Sequence, residues 1–566
     1  MSFEHASHGS FRLGLPSRDE AGVSLDNLRS QYYQPLRQTI QDIQKDYVDQ
    51  ISNQGPRQPG DMHVGVIGAG MAGLLSAYIL KKAGFKVTVF EVDDRVGGRV
   101  HTHYFDKSKN WQYGDLGAMR LPCTTEHQRV FNVIDELNKV NKENEDRKIE
   151  LIDYILENDD GRTFFNNTKA KDKTIMTNKY AKDHPFELGF HLGPLPLDIQ
   201  TIWDSILQYF LPHFQQSFRN GLQFLMQFDT YSVREFIVHP PPLLKLPLEN
   251  VKVEQFMEGY TSATGLFRLG IVDTILEVKG GMQRLAEAFL PSVEDSIKYK
   301  HSVQKLEISG KQVGITYAKV EDNKNQFPSL GHETDFFDHV IVTCPLGVVR
   351  HWDLPDDLSL GKRTAIRSLN YDNSVKVFLR FTTRFWEDPK KTDPPIYGGQ
   401  STTDLSIRKI VYPSYGMHSD EPGVLLVSYT WANDAAKFGA NSHKDVAELA
   451  LRDVVKIHGE VARTEYLDYV VHYWSTDPIT GGGTFAYFEP GQFSSMLPDL
   501  KRPEHNIHFA GEHTDFHHAW IVGAFNSALH ATESIMKGAG LGGLFADVAK
   551  PFINEYSVSS DVDQTE

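Results

Sequence analysis

The run His63-Val-Gly-Val-Ile67 passes directly into Gly68-Ala69-Gly70-Met71-Ala72-Gly73 and on into Leu74-Leu-Ser-Ala-Tyr-Ile-Leu-Lys-Lys82. A short apolar run, three glycines at fixed spacing and an apolar-rich stretch read as strand, tight turn and helix. A second strand, Lys86-Val-Thr-Val-Phe-Glu91, ends on an acid eighteen residues after Gly73. No other feature constrains the fold as strongly. Gly68 permits the turn, Gly70 lets backbone approach a pyrophosphate, and Gly73 lets helix pack on strand. Ala69, Met71 and Ala72 lie between these glycines at the helix N-terminus, whose unpaired N–H groups and dipole favour phosphate. Glu91, followed by Val92, is placed to accept hydrogen bonds from an adenosine ribose. The unit predicts dinucleotide binding in an α/β fold.

Composition removes other classes. The chain has 566 residues, 58 Lys plus Arg against 74 Asp plus Glu, and a formal charge of −16. That balance argues against nucleic acid, whose phosphates require clustered cations. Two cysteines, Cys123 and Cys344, cannot build a disulfide framework or a cysteine-based zinc module. The longest apolar runs are far too short for a membrane span. The first residues lack the basic and apolar regions of a secretory signal, so a cytoplasmic protein is the default, with secretion open if a precursor is processed. His513, His517 and His518 invite a metal test, because His at i and i+4 can bind zinc. No third ligand set accompanies them, and no metal is expected.

Residues 24–51 carry apolar positions at three- to four-residue spacing and predict a helix in an arm spanning 1–59. Helical patterning also covers about 195–236. Strands are expected at His339–Val342, Ser374–Phe381, Ile407–Tyr412 and Val424–Trp431, and a closing helix at Gly523–Met536.

Beyond Glu91 stands Arg95-Val-Gly97-Gly98-Arg99, where a second glycine pair and an arginine can meet the same phosphates. Near the C-terminus come Phe509-Ala-Gly511-Glu512-His513-Thr514 and His517-His-Ala519-Trp520-Ile521-Val-Gly523-Ala-Phe-Asn-Ser527. These segments, over four hundred residues apart, resemble the flavin amine oxidase superfamily and, within it, the L-amino-acid oxidases. Asp115-Leu-Gly-Ala-Met119-Arg120-Leu121-Pro122 is similar to the family's segment beside the flavin. Glu277-Val-Lys-Gly280-Gly281-Met282, Lys300-His-Ser-Val303 and Lys376-Val-Phe-Leu also match it.

The resemblance implies site roles. FAD is implied at Gly68–Gly73, Glu91, Val92, Gly98, Arg99, Met119, Arg120, Val303, Gly511, Glu512, Trp520 and Ile521, non-covalently, since no cysteine stands in the C-terminal flavin segment. Lys376, taken alone, is an ordinary lysine on the strand face opposite Val375, Val377, Leu379 and Phe381. The family places a lysine here to hold a water at flavin N5, which makes it the catalytic candidate. Arg120 alone reads as a surface or ion-pair arginine, and Tyr429 as a half-buried strand aromatic. The resemblance implies that they hold a substrate carboxylate, with Ala519 and Trp520 beside the substrate and Trp520 as a flat wall.

The implied fold is α/β, with a discontinuous Rossmann-like FAD domain (60–100, 280–370, 500–540). A mixed-sheet substrate domain (101–160, 371–499), a helical insertion (161–279) and a C-terminal tail (541–566) complete it. The implied reaction converts an L-amino acid and O2 to a 2-oxo acid, ammonia and hydrogen peroxide. An amine or polyamine oxidase, an L-amino-acid monooxygenase and a non-catalytic FAD-binding scaffold stand as alternatives. The resemblance also allows a homodimer or higher homo-oligomer.

Overall fold

The computed structural model describes residues 58–184, 187, 199–241, 244, 274–320 and 332–553. The helix expected over 24–51 lies outside them. Two sheets organise the rest. The first is a five-stranded parallel sheet ordered Ile297–Lys298, Lys86–Phe90, His63–Ile67, His339–Val342 and Ile507–Phe509. Its strands come from four separate stretches of chain, as a discontinuous dinucleotide fold requires. The helix Met71–Lys82 starts directly after Gly70 and buries nearly its whole length, from Met71 to Leu80. The closing helix, Ile521–Gly538, packs in the same apolar core.

The second sheet has seven strands ordered Tyr466–Tyr473, Ser374–Phe381, Gly423–Trp431, Lys409–Val411, Gln400–Thr403, Arg162–Phe164 and Met176–Thr177. It is antiparallel except where Gln400–Thr403 runs parallel to Arg162–Phe164. Val375, Val377, Leu379 and Phe381 face one core, shared with the helix His443–His458. Phe378 faces the other way, into a smaller cluster with Leu116, Met119 and Tyr154. The second face looks toward the functional cavity.

Three boundaries differ from the sequence reading. Arg162–Phe164 and Met176–Thr177 belong to the mixed sheet, and Ile275–Val278 lies between Leu121–Pro122 and Leu151–Asp153 in a small antiparallel sheet. Among the described residues the helices within 161–279 are Asn178–Asp183, Ile199–Gln216, Phe218–Leu225 and Val233–Val238, and its two ends contribute strands instead. There Phe210 meets Phe236 at 5.4 Å and Phe228 at 5.7 Å. The helix Gln128–Val140 buries Val130, Val133, Ile134 and Leu137 in the core of the parallel-sheet side, not against the mixed sheet. The stretch after 540 is also no loose tail up to Phe552. Gly542–Ala549 is a helix that buries Phe545, Val548 and Ala549, and Phe552 in the turn after it enters the same core.

Candidate active site

At the C-terminal ends of the parallel strands the glycine turn closes as its residues dictate. A Cβ on Gly73 would collide with the Gly68 carbonyl oxygen, so only glycine lets the helix sit this close. A Cβ on Gly70 would meet nothing within 4 Å and would stand in the open cavity. The Gly97–Gly98 pair joins this turn: Gly97 N–H donates to the Ala69 carbonyl at 2.9 Å, and Gly70 and Gly97 form a parallel bridge. Glu91 is buried, and its carboxylate accepts from the amides of Ala69 (2.6 Å) and Asp93 (2.9 Å). Burial outweighs those bonds and raises its pKa.

Arg99 leads from this cradle to the C-terminal segment. Its guanidinium donates to Glu512 at 2.7 Å and to the Thr484 carbonyl at 3.0 Å. Glu512 also accepts from the amides of Ala519 (3.0 Å) and Ala486 (3.1 Å). Burial alone would raise the Glu512 pKa, but Arg99 and its other partners bring it down to about 2. Gly511 N–H is held by the Ser527 hydroxyl at 2.8 Å, which ties the turn to the closing helix. Ala519 has φ 68°, a left-handed conformation unusual for a residue with a Cβ. It brings Trp520 to the cap of the helix that begins at Ile521, whose first turn faces the cavity.

At the far end stands Lys376, 1% exposed. Its ammonium donates to the carbonyls of Asp115 and Gly117, both at 2.7 Å, and approaches the Met119 sulfur at 3.2 Å. The Asp115 carboxylate is engaged elsewhere, by the Thr102 hydroxyl (2.6 Å) and Met282 N–H (2.9 Å). Burial lowers the Lys376 pKa despite Asp115 nearby. Tyr429 is its cross-strand partner, and Nζ lies 4.7 Å from the phenol ring centroid. The guanidinium of Arg120 stands 6.0 Å from that ring and 5.2 Å from the ring of Tyr154.

A cavity of about 560 Å³ runs between these ends, bounded by Gly70, Glu91, Arg99, Gly511, Lys376 and Tyr429. Gly68, Met71, Ala72, Val92, Gly98, Val303, Glu512, Ala519, Trp520 and Ile521 also line it. Ala69, Gly73, Met119 and Arg120 are not in its wall. The first two shape the turn from behind, and Met119 abuts Lys376. Arg120 borders a small adjoining void shared with Trp520 and Ile521. Among the described residues, no group of three or more His, Cys, Asp or Glu is placed to hold a metal ion. His517 instead pairs with Asp515 at 2.7 Å. Cys344 lines the cavity, with burial raising its thiol pKa.

The family described as flavin containing amine oxidoreductase matches residues 71–536. This chain belongs to that family. An L-amino-acid oxidase of Siganus canaliculatus is 32% identical over 521 residues, covering 90% of each chain. An L-amino-acid oxidase of Hebeloma cylindrosporum is 29% identical, covering 84% of this chain and 81% of that one. A bifunctional amine oxidase of Dictyostelium discoideum is 33% identical over 522 residues, and this chain spans 47% of its length. Putrescine oxidase with putrescine bound shares the fold, with a TM-score of 0.59 at 16% identity over 84% of this chain and 99% of that one.

The family's cofactor is FAD, and the amine oxidoreductase described here is built to take it. The glycine cradle leaves room where a Cβ would intrude, and the cavity is long enough to reach from Glu91 to Lys376. No helix among the described residues is long and apolar enough to cross a membrane.

Two site residues escaped the sequence reading. Glu277 is buried, and its Oε1 has no hydrogen-bond partner among the described residues. Leu121 pairs with Leu276, so one step along the register sets Arg120 opposite Glu277. Burial raises the Glu277 pKa well above the usual range, and Asp115 adds to the rise. Tyr154, likewise buried, stacks on the other flank of Arg120. Glu277 opens the segment Glu277–Met282 that matches the family, but nothing in that segment assigns it to the arginine, and Tyr154 lies in no motif; strand pairing brings both there.

Proposed function

We propose that this enzyme oxidises L-α-amino acids to 2-oxo acids, ammonia and hydrogen peroxide with O2 as acceptor. The observation that carries the reading is the row Arg120–Tyr429–Lys376: a guanidinium 6.0 Å from a phenol ring, which lies 4.7 Å from a buried ammonium. Relatives named L-amino-acid oxidase, matched over most of the chain, support it.

Arg120 offers a planar fork to the α-carboxylate, and Tyr429 adds a hydroxyl donor. Burial works against the guanidinium's charge, while Tyr154, Tyr429 and Glu277 favour it. Held at this end, the substrate presents its α-carbon toward Lys376, with Trp520 as the opposing wall. Two protons of Lys376 are fixed by carbonyls. Among the described residues the third meets the Met119 sulfur, a weak acceptor, and is the one that a water or a negative charge on oxygen would take. Bound flavin supplies the two-electron acceptor.

A peroxide-release screen over the L-amino acids, their D-forms and simple amines tests the proposal, with 2-oxo acid measured alongside. Turnover confined to L-amino acids with equal peroxide and 2-oxo acid supports it. Faster turnover of amines points to an amine oxidase, and carboxamide in place of 2-oxo acid points to a monooxygenase.

A further inference from the structure

A short turn, 124–127, leads from the strand Leu121–Pro122 into the helix Gln128–Val140, which Val130, Val133, Ile134 and Leu137 anchor in the parallel-sheet core. His127 N–H donates to the Thr124 hydroxyl at 3.3 Å, and that hydroxyl meets His127 Nδ1 at 2.8 Å. A hydroxyl that accepts from the amide has its own proton to give to Nδ1, which fits the tautomer with the ring proton on Nε2. Nε2 is buried and has no hydrogen-bond partner among the described residues. The ring instead meets Trp520 at an angle of 78°, with centroids 5.0 Å apart. Edge-to-face rings attract, and an N–H over an indole face is a weak hydrogen bond.

His127 also lines the small void that it shares with Arg120, Trp520 and Ile521. Trp520 and Ile521 line the main cavity as well, so His127 stands against the wall that they form. Burial, with His517 adding to it, lowers the His127 pKa to about 3, and the ring brings no charge to the Arg120 end. The same helix start grips the closing helix a second time. Arg129 donates to the Asn526 side chain, Asn526 donates to Asp515 at 3.3 Å, and Asp515 accepts from His517 N–H at 2.9 Å. Glu512 fixes the backbone before Trp520, through Ala519 N–H at 3.0 Å, and His127 meets the ring itself.

We propose that His127 is a positioning residue: it holds the Trp520 ring as the fixed wall of the substrate end. The inference rests on the proposed oxidation of L-amino acids and adds a residue to that site. A wall that turns misplaces the substrate, and costs affinity before it costs the oxygen chemistry assigned to Lys376. His127 and Trp520 act through one contact, so the effects of substituting them should not add.

The test is a double-mutant cycle on the holoenzyme, each variant checked for bound FAD, with KM for L-phenylalanine and the Kd of benzoate from the flavin difference spectrum. His127→Ala should raise both by roughly three- to tenfold, the size of an edge-to-face ring pair, and slow the oxygen half-reaction less. His127→Phe, which keeps a ring edge against Trp520, should recover most of the loss. In a Trp520→Leu background, His127→Ala should add little. Equal effects of His127→Ala in the two backgrounds, or a KM and Kd that it leaves unmoved, overturn the assignment. Where His127→Ala or Trp520→Leu loses FAD, His127→Phe and His127→Gln are compared: values nearer wild type in His127→Phe support the contact, and equal or reversed values overturn it. A wild type that oxidises amines and no L-amino acid overturns the amino-acid reading alone, and the same cycle read on the amine still decides the role of His127.

Discussion

The Arg99 guanidinium donates at 2.7 Å to the buried carboxylate of Glu512, 413 residues away in the chain. This ion pair fastens the second glycine pair to the C-terminal segment. The same carboxylate also fixes Ala519, and through it Trp520. Glu512 is held at about 2 against an ordinary value of 4.5, so its contribution is complete above about pH 4.5 and disappears as pH falls toward 2. The shift corresponds to on the order of 3 kcal/mol. Glu512→Gln should therefore lower Tm at pH 7, with the gap from wild type closing in acid. A gap that stays constant with pH would remove this pair from the stability of the site.

Histidines set a second acid boundary at higher pH. His101, His127, His458 and His513 are each pushed down by burial, to about 3 from 6.5. A depressed folded-state pKa gives stability that is complete above 6.5 and is lost as pH falls toward 3. Tm should decline steadily below about pH 6.5, before the Glu512 pair begins to titrate. A Tm flat from pH 7 to 5 would contradict this.

Gly70 faces open cavity, so Gly70→Val should fold yet lose its yellow colour, because the branched side chain occupies the pyrophosphate's space. Acid or heat should release free FAD from wild type. Colour that stays with the precipitated protein would indicate a covalent link. Gly73→Ala should instead destabilise the fold itself, since its Cβ meets the Gly68 carbonyl. A thermal melt together with the flavin spectrum separates the two effects.

Lys376→Met keeps length and removes charge. Oxygen-dependent return of the oxidised flavin spectrum should slow by at least about tenfold, equivalent to roughly 1.4 kcal/mol, and the anaerobic half-reaction should slow less. Stopped-flow traces with unchanged oxygen reactivity would take this lysine out of the reaction.

Three of the five parallel strands, His63–Ile67, Lys86–Phe90 and His339–Val342, were readable with their glycine turn because each is a compact run rich in β-branched residues, whereas the edge strands Ile297–Lys298 and Ile507–Phe509 are too short to stand out. Ser374–Phe381 was readable by its alternation, with Val375, Val377, Leu379 and Phe381 on one face. Arg162–Phe164 and Met176–Thr177 were not, because strands of three and two residues are too short to show a period of two. The helix Gly542–Ala549 did carry its signal, at Phe545, Val548 and Ala549, but two glycines at its start mask it. In the site, resemblance pointed to Arg120, Tyr429 and Lys376, and the structure sets their side chains near one another. The placement of Glu277 and Tyr154 beside Arg120 was beyond reach, since it is defined by pairing between distant strands rather than by neighbours in sequence.

The proposed carboxylate clamp of Arg120 and Tyr429 gives the sharpest separation of an amino-acid oxidase from an amine oxidase. Arg120 is flanked by Tyr154 and Tyr429 and stands one register step from Glu277, so its charge sits in an aromatic box and not in solvent. On the proposed reading, a substrate without a carboxylate forgoes the charge-assisted bonds of Arg120 and Tyr429, a costly loss in a desolvated site. Wild type should thus reject the decarboxylated amine of each amino acid that it oxidises. Arg120→Ala should raise KM for every L-amino acid by a similar factor. Each lost charge-assisted bond is worth roughly 1.5–3 kcal/mol, so the total loss in kcat/KM should exceed about a hundredfold. Tyr429→Phe removes one neutral hydroxyl and should cost roughly 0.5–1.5 kcal/mol, about three- to tenfold. If Arg120→Ala leaves KM unchanged while Lys376→Met still slows oxygen, the carboxylate is bound elsewhere and Arg120 serves only to pack Tyr154 against Tyr429.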